Sequence, residues 1–275
     1  MPVLLRYNRT KVDRAFAGLA TEPTFTSMKY IRATIRLIGF ILATLCLYAL
    51  WFVVSFFVPN KVYWRQLAFG WWTKSFAAIA GMDIEVIGTP PTPPFFLVSN
   101  HLSYVDIAVL RATVTGVFVA KVEVNTWPVA GRIVRDMGVI FIDRTKRRDI
   151  PRAGAEIIQR LNEGEGVIVF PEGTSTKGED ILPFNSSFFE FAAQTDLPVS
   201  YASISYRTPG GEPPASKMVC WWEDISFMAH LFRLFTLTRF TAIVDFGEER
   251  IVNPDRKQLA AELRERVREK FIPVI

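Results

Sequence analysis

A chain of 275 residues, half of them hydrophobic, can bury one sizeable core and at most a small second unit. Its net charge of +5 favours anionic partners such as phospholipid headgroups or acidic carrier proteins. Nucleic acid is excluded as a partner, because no basic–aromatic alternation, zinc-finger or RNA-binding signature occurs. The cysteines, Cys46 and Cys220, lie far apart without metal spacing, so they are expected to be inert and buried, in keeping with a reducing compartment. The excess of Phe and Trp, with a positive mean hydropathy, requires a core, a partner or a lipid phase to cover it.

In chain order, residues 1–28 are mildly basic through Arg6, Arg9, Lys11 and Arg14, show no period, and read as a loosely packed lead. Leu37–Val58 carries no charge, and as a helix would be about 33 Å long, enough for a hydrocarbon core of about 30 Å. A signal peptide is not expected, since the run starts too far in and Pro59-Asn60-Lys61 offers no small-residue cleavage site. Lys29, Arg32 and Arg36 precede it and Lys61, Arg65 and Lys74 follow, so flanking charge gives no orientation. Residues 62–82 form a second helix with Trp64, Trp71 and Trp72, suited either to a membrane interface or to packing on the core. Residues 29–82 thus read as membrane-anchoring helices.

From residue 83 the pattern alternates. Strands are expected at Asp83–Gly88, Phe95–Ser99, Gly116–Ala120, Gly138–Ile142 and Val167–Phe170, with a helix over 150–163 closed by Gly164. Strands separated by helices predict an α/β domain over 83–275, with a mixed, mostly buried sheet flanked by helices and preceded by the apolar helix. Phe227–Phe235 has the spacing of a surface-seeking segment or of a core helix.

Three polar clusters interrupt this pattern. After FFLVS comes Asn100-His101-Leu102-Ser103-Tyr104-Val105-Asp106, where Ser103 and Asp106 make a capping box that predicts a helix start at Ser103. His101 just outside that helix and Asp106 in its first turn can meet, fixing one imidazole nitrogen and freeing the other to accept a proton. Residue types alone leave two readings open: a general base with its orienting group, or a capping carboxylate beside a satisfied turn histidine. Pro171-Glu172-Gly173-Thr174 follows a strand at its C-terminal edge, where α/β proteins hold ligands; an ordinary surface turn has the same composition. Arg144, after Phe141-Ile142-Asp143, could grip a phosphate with its planar fork at the head of a basic stretch that reads as a solvated or membrane-facing slope.

Together these clusters resemble the glycerolipid acyltransferases with a His-x4-Asp motif. NHLSYVD matches that motif, and VIFIDR, FPEGTST and the late Leu197-Pro198-Val199 follow in the family's order over roughly residues 70–245. The 1-acyl-sn-glycerol-3-phosphate acyltransferases are the lead match, while VFVAKVEVNTWPVAG and PFNSSFF also resemble the branch that acylates lyso-ornithine lipid. The resemblance implies an enzyme of phospholipid biosynthesis that moves an acyl group from acyl-CoA or acyl carrier protein to the sn-2 hydroxyl of 1-acyl-sn-glycerol-3-phosphate, giving phosphatidate. His101 would deprotonate that hydroxyl, Asp106 would orient His101, Arg144 would hold the phosphate, and Glu172, Gly173 and Thr174 would shape the acceptor site. No cofactor and no metal are implied, the thioester being a co-substrate. The lysolipid acceptor and membrane phospholipids complete the partners, at a cell membrane with the site facing the cytoplasm. One departure is Asn185, which stands where many members carry a lysine. A non-catalytic scaffold of the same fold is disfavoured because the motif positions are intact, and a serine hydrolase because no G-x-S-x-G occurs.

Overall fold

A computed structural model describes residues 22–143, 146 and 149–274. Helix α1, Glu22–Val54, begins inside the stretch read as a lead and runs through the apolar segment, ending four residues before the expected Val58. Its Ser27–Val54 portion is long and apolar enough to cross a membrane by length and composition. Arg32 and Arg36 are not free flanking charges. Arg32 donates to the carbonyl of Thr236, and Arg36 donates to those of Leu237 at 2.6 Å and Thr238 at 3.0 Å. Cys46 lies exposed on this helix; of the two cysteines only Cys220 is buried, which corrects the expectation for Cys46.

Helix α2, Lys61–Ala80, is capped by Asn60, whose side chain accepts from Tyr63 N, and by Gly81 at φ +71°. Trp64, Phe69 and Phe76 are buried, so this face packs on the domain, while Tyr63 and Trp71 stay exposed. The indole of Trp64 donates to Trp51 O and that of Trp72 to Thr44 Oγ1, both at 3.0 Å, closing α1 onto α2. Arg65 and Gln66 donate to Glu165, fastening α2 to the domain. Burial pushes the Glu165 carboxyl up, but Arg65, Gln66 and Arg160 more than offset it and hold it low.

The domain follows as β1 (Met82–Ile87), β2 (Phe95–Ser99), α3 (Val105–Thr113), β3 (Gly116–Lys121), α4 (Ala130–Asp136), β4 (Ile140–Ile142), α5 (Asp149–Asn162) and β5 (Gly166–Val169). After these come α6 (Glu190–Gln194), β6 (Val199–Arg207), α7 (Ala215–Met218), α8 (Phe227–Phe235), β7 (Phe240–Phe246) and α9 (Arg256–Lys270). The expected strands occur within one or two residues, except that Gly138, at φ +84°, belongs to a turn and β4 starts only at Ile140. Gly164, at φ +82°, ends α5 as anticipated.

The seven strands lie in the order β1-β7-β6-β2-β5-β3-β4. Strands β6, β2, β5, β3 and β4 run parallel, whereas β7 is antiparallel to β6 and parallel to β1, so the sheet is mixed. Alternation along β2 sends Phe95 and Leu97 to one face and Phe96 and Val98 to the other. The first face is covered by α1, α2, α3 and α8, the second by α5, α6 and α9. Helix α8 is a core helix: His230, Leu231, Leu234 and Phe235 are buried while Met228 is exposed. Because the five parallel strands share a C-terminal edge, the loops after β2, β4 and β5 emerge together, where α/β sheets hold ligands.

Candidate active site

Strand β2 ends at Ser99, and Asn100 continues its ladder with a side chain. The Asn100 amide donates to Ile204 O at 2.9 Å and accepts from Ile204 N at 2.7 Å, fixing the direction in which the chain leaves the sheet. His101 follows, and its Nδ1 lies 2.7 Å from Asp106 Oδ2. The Asp106 side chain is fully buried, whereas that of His101 is 22% exposed. Oδ2 also accepts from Leu102 N at 2.7 Å and Ser103 N at 3.0 Å, and Oδ1 accepts from the Tyr206 hydroxyl at 2.6 Å. With Asp106 Oδ2 accepting in this pair, Nδ1 of His101 is the donor and Nε2 is left to accept a proton.

Only half of the expected capping box forms. Asp106 reaches back to Ser103 N, but its own amide bonds Ser103 O at 3.1 Å, the Ser103 hydroxyl is buried without a partner, and α3 starts at Val105. The missing half is Ser103 Oγ accepting from the Asp106 amide, which is spent instead on Ser103 O.

The loop after β5 closes the site from the other side. Phe170 stacks on the His101 ring, centroids 4.3 Å apart and planes within 13°. Gly173, at φ +71°, turns the chain so that its amide meets Phe170 O at 3.0 Å. Two oxygens of Glu172 take main-chain donors, His101 N at 2.7 Å and Leu182 N at 2.9 Å, and Thr176 N donates to His101 O at 3.1 Å. Burial is the main cause of the Glu172 carboxyl rising to about 7, opposed by those two amides and helped by the nearby Asp106 charge. Thr174 is exposed at the rim.

The structure therefore brings together His101, Asp106, Glu172 and Gly173, with Thr174 beside them, whereas Arg144 lies outside the described residues. Asn185 does not reach into the site with its side chain, which caps the short turn of helix at Ser186–Phe189 by accepting from Ser187 N. Sequence reasoning missed Tyr206 and the ring of Phe170. Phe170 stands inside the recognised FPEGTST stretch, so a signal for it existed, but nothing local marks Tyr206 on β6. The second histidine is a satisfied core residue. Its Nε2 donates to Cys220 O and its Nδ1 accepts from Tyr104, both at 3.0 Å, and burial lowers it to about 4.

A family profile described as acyltransferase matches residues 83–205. The lyso-ornithine lipid O-acyltransferase of Pseudomonas aeruginosa is 30% identical over 205 residues, 74% of this chain and 78% of its own length. That of Rhodobacter capsulatus is 33% identical over 198 residues, 70% of this chain and 71% of its own. The 1-acyl-sn-glycerol-3-phosphate acyltransferase of Neisseria gonorrhoeae is 29% identical over 197 residues, 70% and 76% of the two chains. Among solved structures, the 1-acyl-sn-glycerophosphate acyltransferase PlsC of Thermotoga maritima superposes with a TM-score of 0.61 at 21% identity. It covers 87% of this chain and 97% of that one, which establishes a shared fold.

Proposed function

The chain belongs to the acyltransferase family, and from that premise we propose that it moves a fatty acyl group from a thioester to a hydroxyl of a single-tailed lipid, with His101 as general base. The observation that carries this reading is the His101–Asp106 pair, in which a buried, fully bonded carboxylate holds Nδ1 and leaves Nε2 to work. Nε2 takes the hydroxyl proton as the acceptor oxygen attacks the thioester carbonyl. The tetrahedral intermediate then collapses, the C–S bond breaks, and His101 returns its proton to the departing thiolate. One ester forms for one thioester consumed, and no acyl-enzyme is required.

For the acceptor, the first reading is the sn-2 hydroxyl of 1-acyl-sn-glycerol-3-phosphate, with acyl-CoA or acyl carrier protein as donor. Arg144 would hold the phosphate. Gly173 and Thr174 would line the acceptor side, with Glu172 setting their loop. Lyso-ornithine lipid is the second reading, favoured by Asn185, which supplies no cation, and by relatives of that name, two of them at 30% and 33% identity. The apolar helix α1 and the lipid-acylating relatives indicate membrane association. The site would sit at headgroup level on the cytosolic side, where the thioester donors are found.

The test is a panel of acceptors and donors with the purified enzyme, comparing lysophosphatidate with lyso-ornithine lipid and acyl-CoA with acyl carrier protein. Transfer to either acceptor, lost in His101→Ala, supports the chemistry, and the preferred acceptor decides between the two readings. Full transfer by His101→Ala rejects the mechanism.

A further inference from the structure

The buried end of strand β6 is bound to the catalytic loop at two points. Asn100, the residue before His101, exchanges both hydrogen bonds of its side-chain amide with the main chain of Ile204. Two residues on, and therefore on the same face of the strand, the Tyr206 hydroxyl donates to Asp106 Oδ1 at 2.6 Å. Ile204 and Tyr206 are both buried, and antiparallel pairing with β7, Ile204 to Val244 and Tyr206 to Ala242, fixes the register of this strand end. The ring of Tyr206 is wedged against Phe240, centroids 6.1 Å apart, so the hydroxyl has little freedom to move.

We infer that Tyr206 is a positioning residue for the general base, acting through Asp106. The inference rests on the reading of His101 as that base. Asp106 Oδ2 is shared by three donors, His101 Nδ1 among them, all contributed by residues 101–103. Donors on one oxygen leave the carboxylate able to pivot about its Cβ–Cγ bond; a fourth donor on the other oxygen removes that freedom and sets the plane in which Nδ1–H must lie. Tyr206 is suited to the task. Burial raises its hydroxyl well above the usual tyrosine range, and the Asp106 charge raises it further, so it stays a donor at any working pH.

The chain contains two histidines, which makes the test direct. Nitrogen-15 histidine labelling of the full-length enzyme in detergent gives two sets of ring signals, assigned with His101→Ala. His230, whose ring nitrogens bond Tyr104 and Cys220 and not Tyr206 or Asp106, reports whether the fold is intact. In Tyr206→Phe, which keeps the ring and removes only the hydroxyl, the expected result has three parts. The kcat falls about tenfold, consistent with losing one hydrogen bond to a charged group. The acceptor KM stays unchanged. The His101 ring signals shift or broaden while those of His230 hold. Unchanged kcat and unchanged His101 signals overturn the inference. Movement of both histidines overturns it too, since Tyr206 would then be a packing residue. Failure of the underlying reading is separate: it shows as activity retained in His101→Ala, whatever the Tyr206 variant does.

Discussion

Glu172 bridges two loops at the site, its Oε1 accepting the amide proton of His101 at 2.7 Å and its Oε2 that of Leu182 at 2.9 Å. Burial raises this carboxyl from 4.5 to about 7. Between those values the folded protein holds a proton that the unfolded chain releases. The resulting contribution to stability is fully present below about 4.5 and is lost as pH rises through about 7. Glu172→Gln, which does not titrate, removes this dependence. Thermal unfolding in detergent at pH 5 and pH 8 should show a larger loss for the unaltered enzyme than for the variant. Equal losses would mean that Glu172 ionises in the folded state as it does in the unfolded one.

Asp106 and His101 should differ in what their loss does to the fold. Four donors converge on the Asp106 carboxylate, and an asparagine would turn its own N–H groups toward at least one of them. Asp106→Asn should therefore destabilise by on the order of 3 kcal/mol, as expected when one partner of a buried charged network is removed. His101 is partly exposed and contributes mainly its stack on Phe170, so His101→Ala should unfold at a clearly higher temperature than Asp106→Asn. Both should lose roughly 10²–10⁴-fold in rate. An Asp106→Asn protein as stable as His101→Ala would show that the four bonds contribute nothing net.

Much of this was legible in the sequence because the signals are local. Phe95–Ser99 is a short apolar run bounded by prolines and by Asn100, and it forms strand β2 with the same limits. His101 and Asp106 meet because a helix start brings residues five apart together. The parts that stayed hidden are those set by contacts distant in sequence. Strand β6, Val199–Arg207, holds Ser200, Ser203 and Ser205 in its buried interior and does not read as an apolar run, so neither the strand nor Tyr206 was anticipated. Arg32 and Arg36 looked like membrane flanks, since nothing near them in the chain shows that their guanidinium groups meet the carbonyls following α8. The main-chain partners of both Glu172 oxygens, His101 N and Leu182 N, stayed hidden for the same reason.

Removal of helix α1 should not release a soluble catalytic domain. Phe40 lies against Trp72, Phe76 and Phe235, at centroid distances of 6.0, 5.6 and 6.1 Å. Aromatic side chains bury about 150–250 Å² each, so uncovering this group creates an apolar patch larger than a soluble monomer tolerates. A variant lacking residues 1–60 is expected to need detergent still and to aggregate when it is withdrawn, as size-exclusion chromatography would show. A monodisperse, detergent-free monomer would show that α1 is an anchor alone and no part of the domain's cover.

Arg144 offers the sharpest division between the two acceptors. It follows strand β4 by two residues, and β4 is separated from β2 by β5 and β3. Three strand spacings place the end of β4 about 14 Å from the end of β2, on the C-terminal edge that also carries His101. To hold the phosphate of a lysophosphatidate, Arg144 would have to span most of that gap, since the phosphate lies only a few bonds from the free hydroxyl. Arg144→Ala should then raise the KM for lysophosphatidate with little change in kcat, the pattern for lost uniform binding. Arg144→Lys should recover only part of it, because a lysine lacks the planar fork that meets two phosphate oxygens together. With lyso-ornithine lipid, which carries no phosphate, neither substitution should matter. An unchanged KM for lysophosphatidate in Arg144→Ala would take Arg144 out of the acceptor site and favour the ornithine-headed substrate.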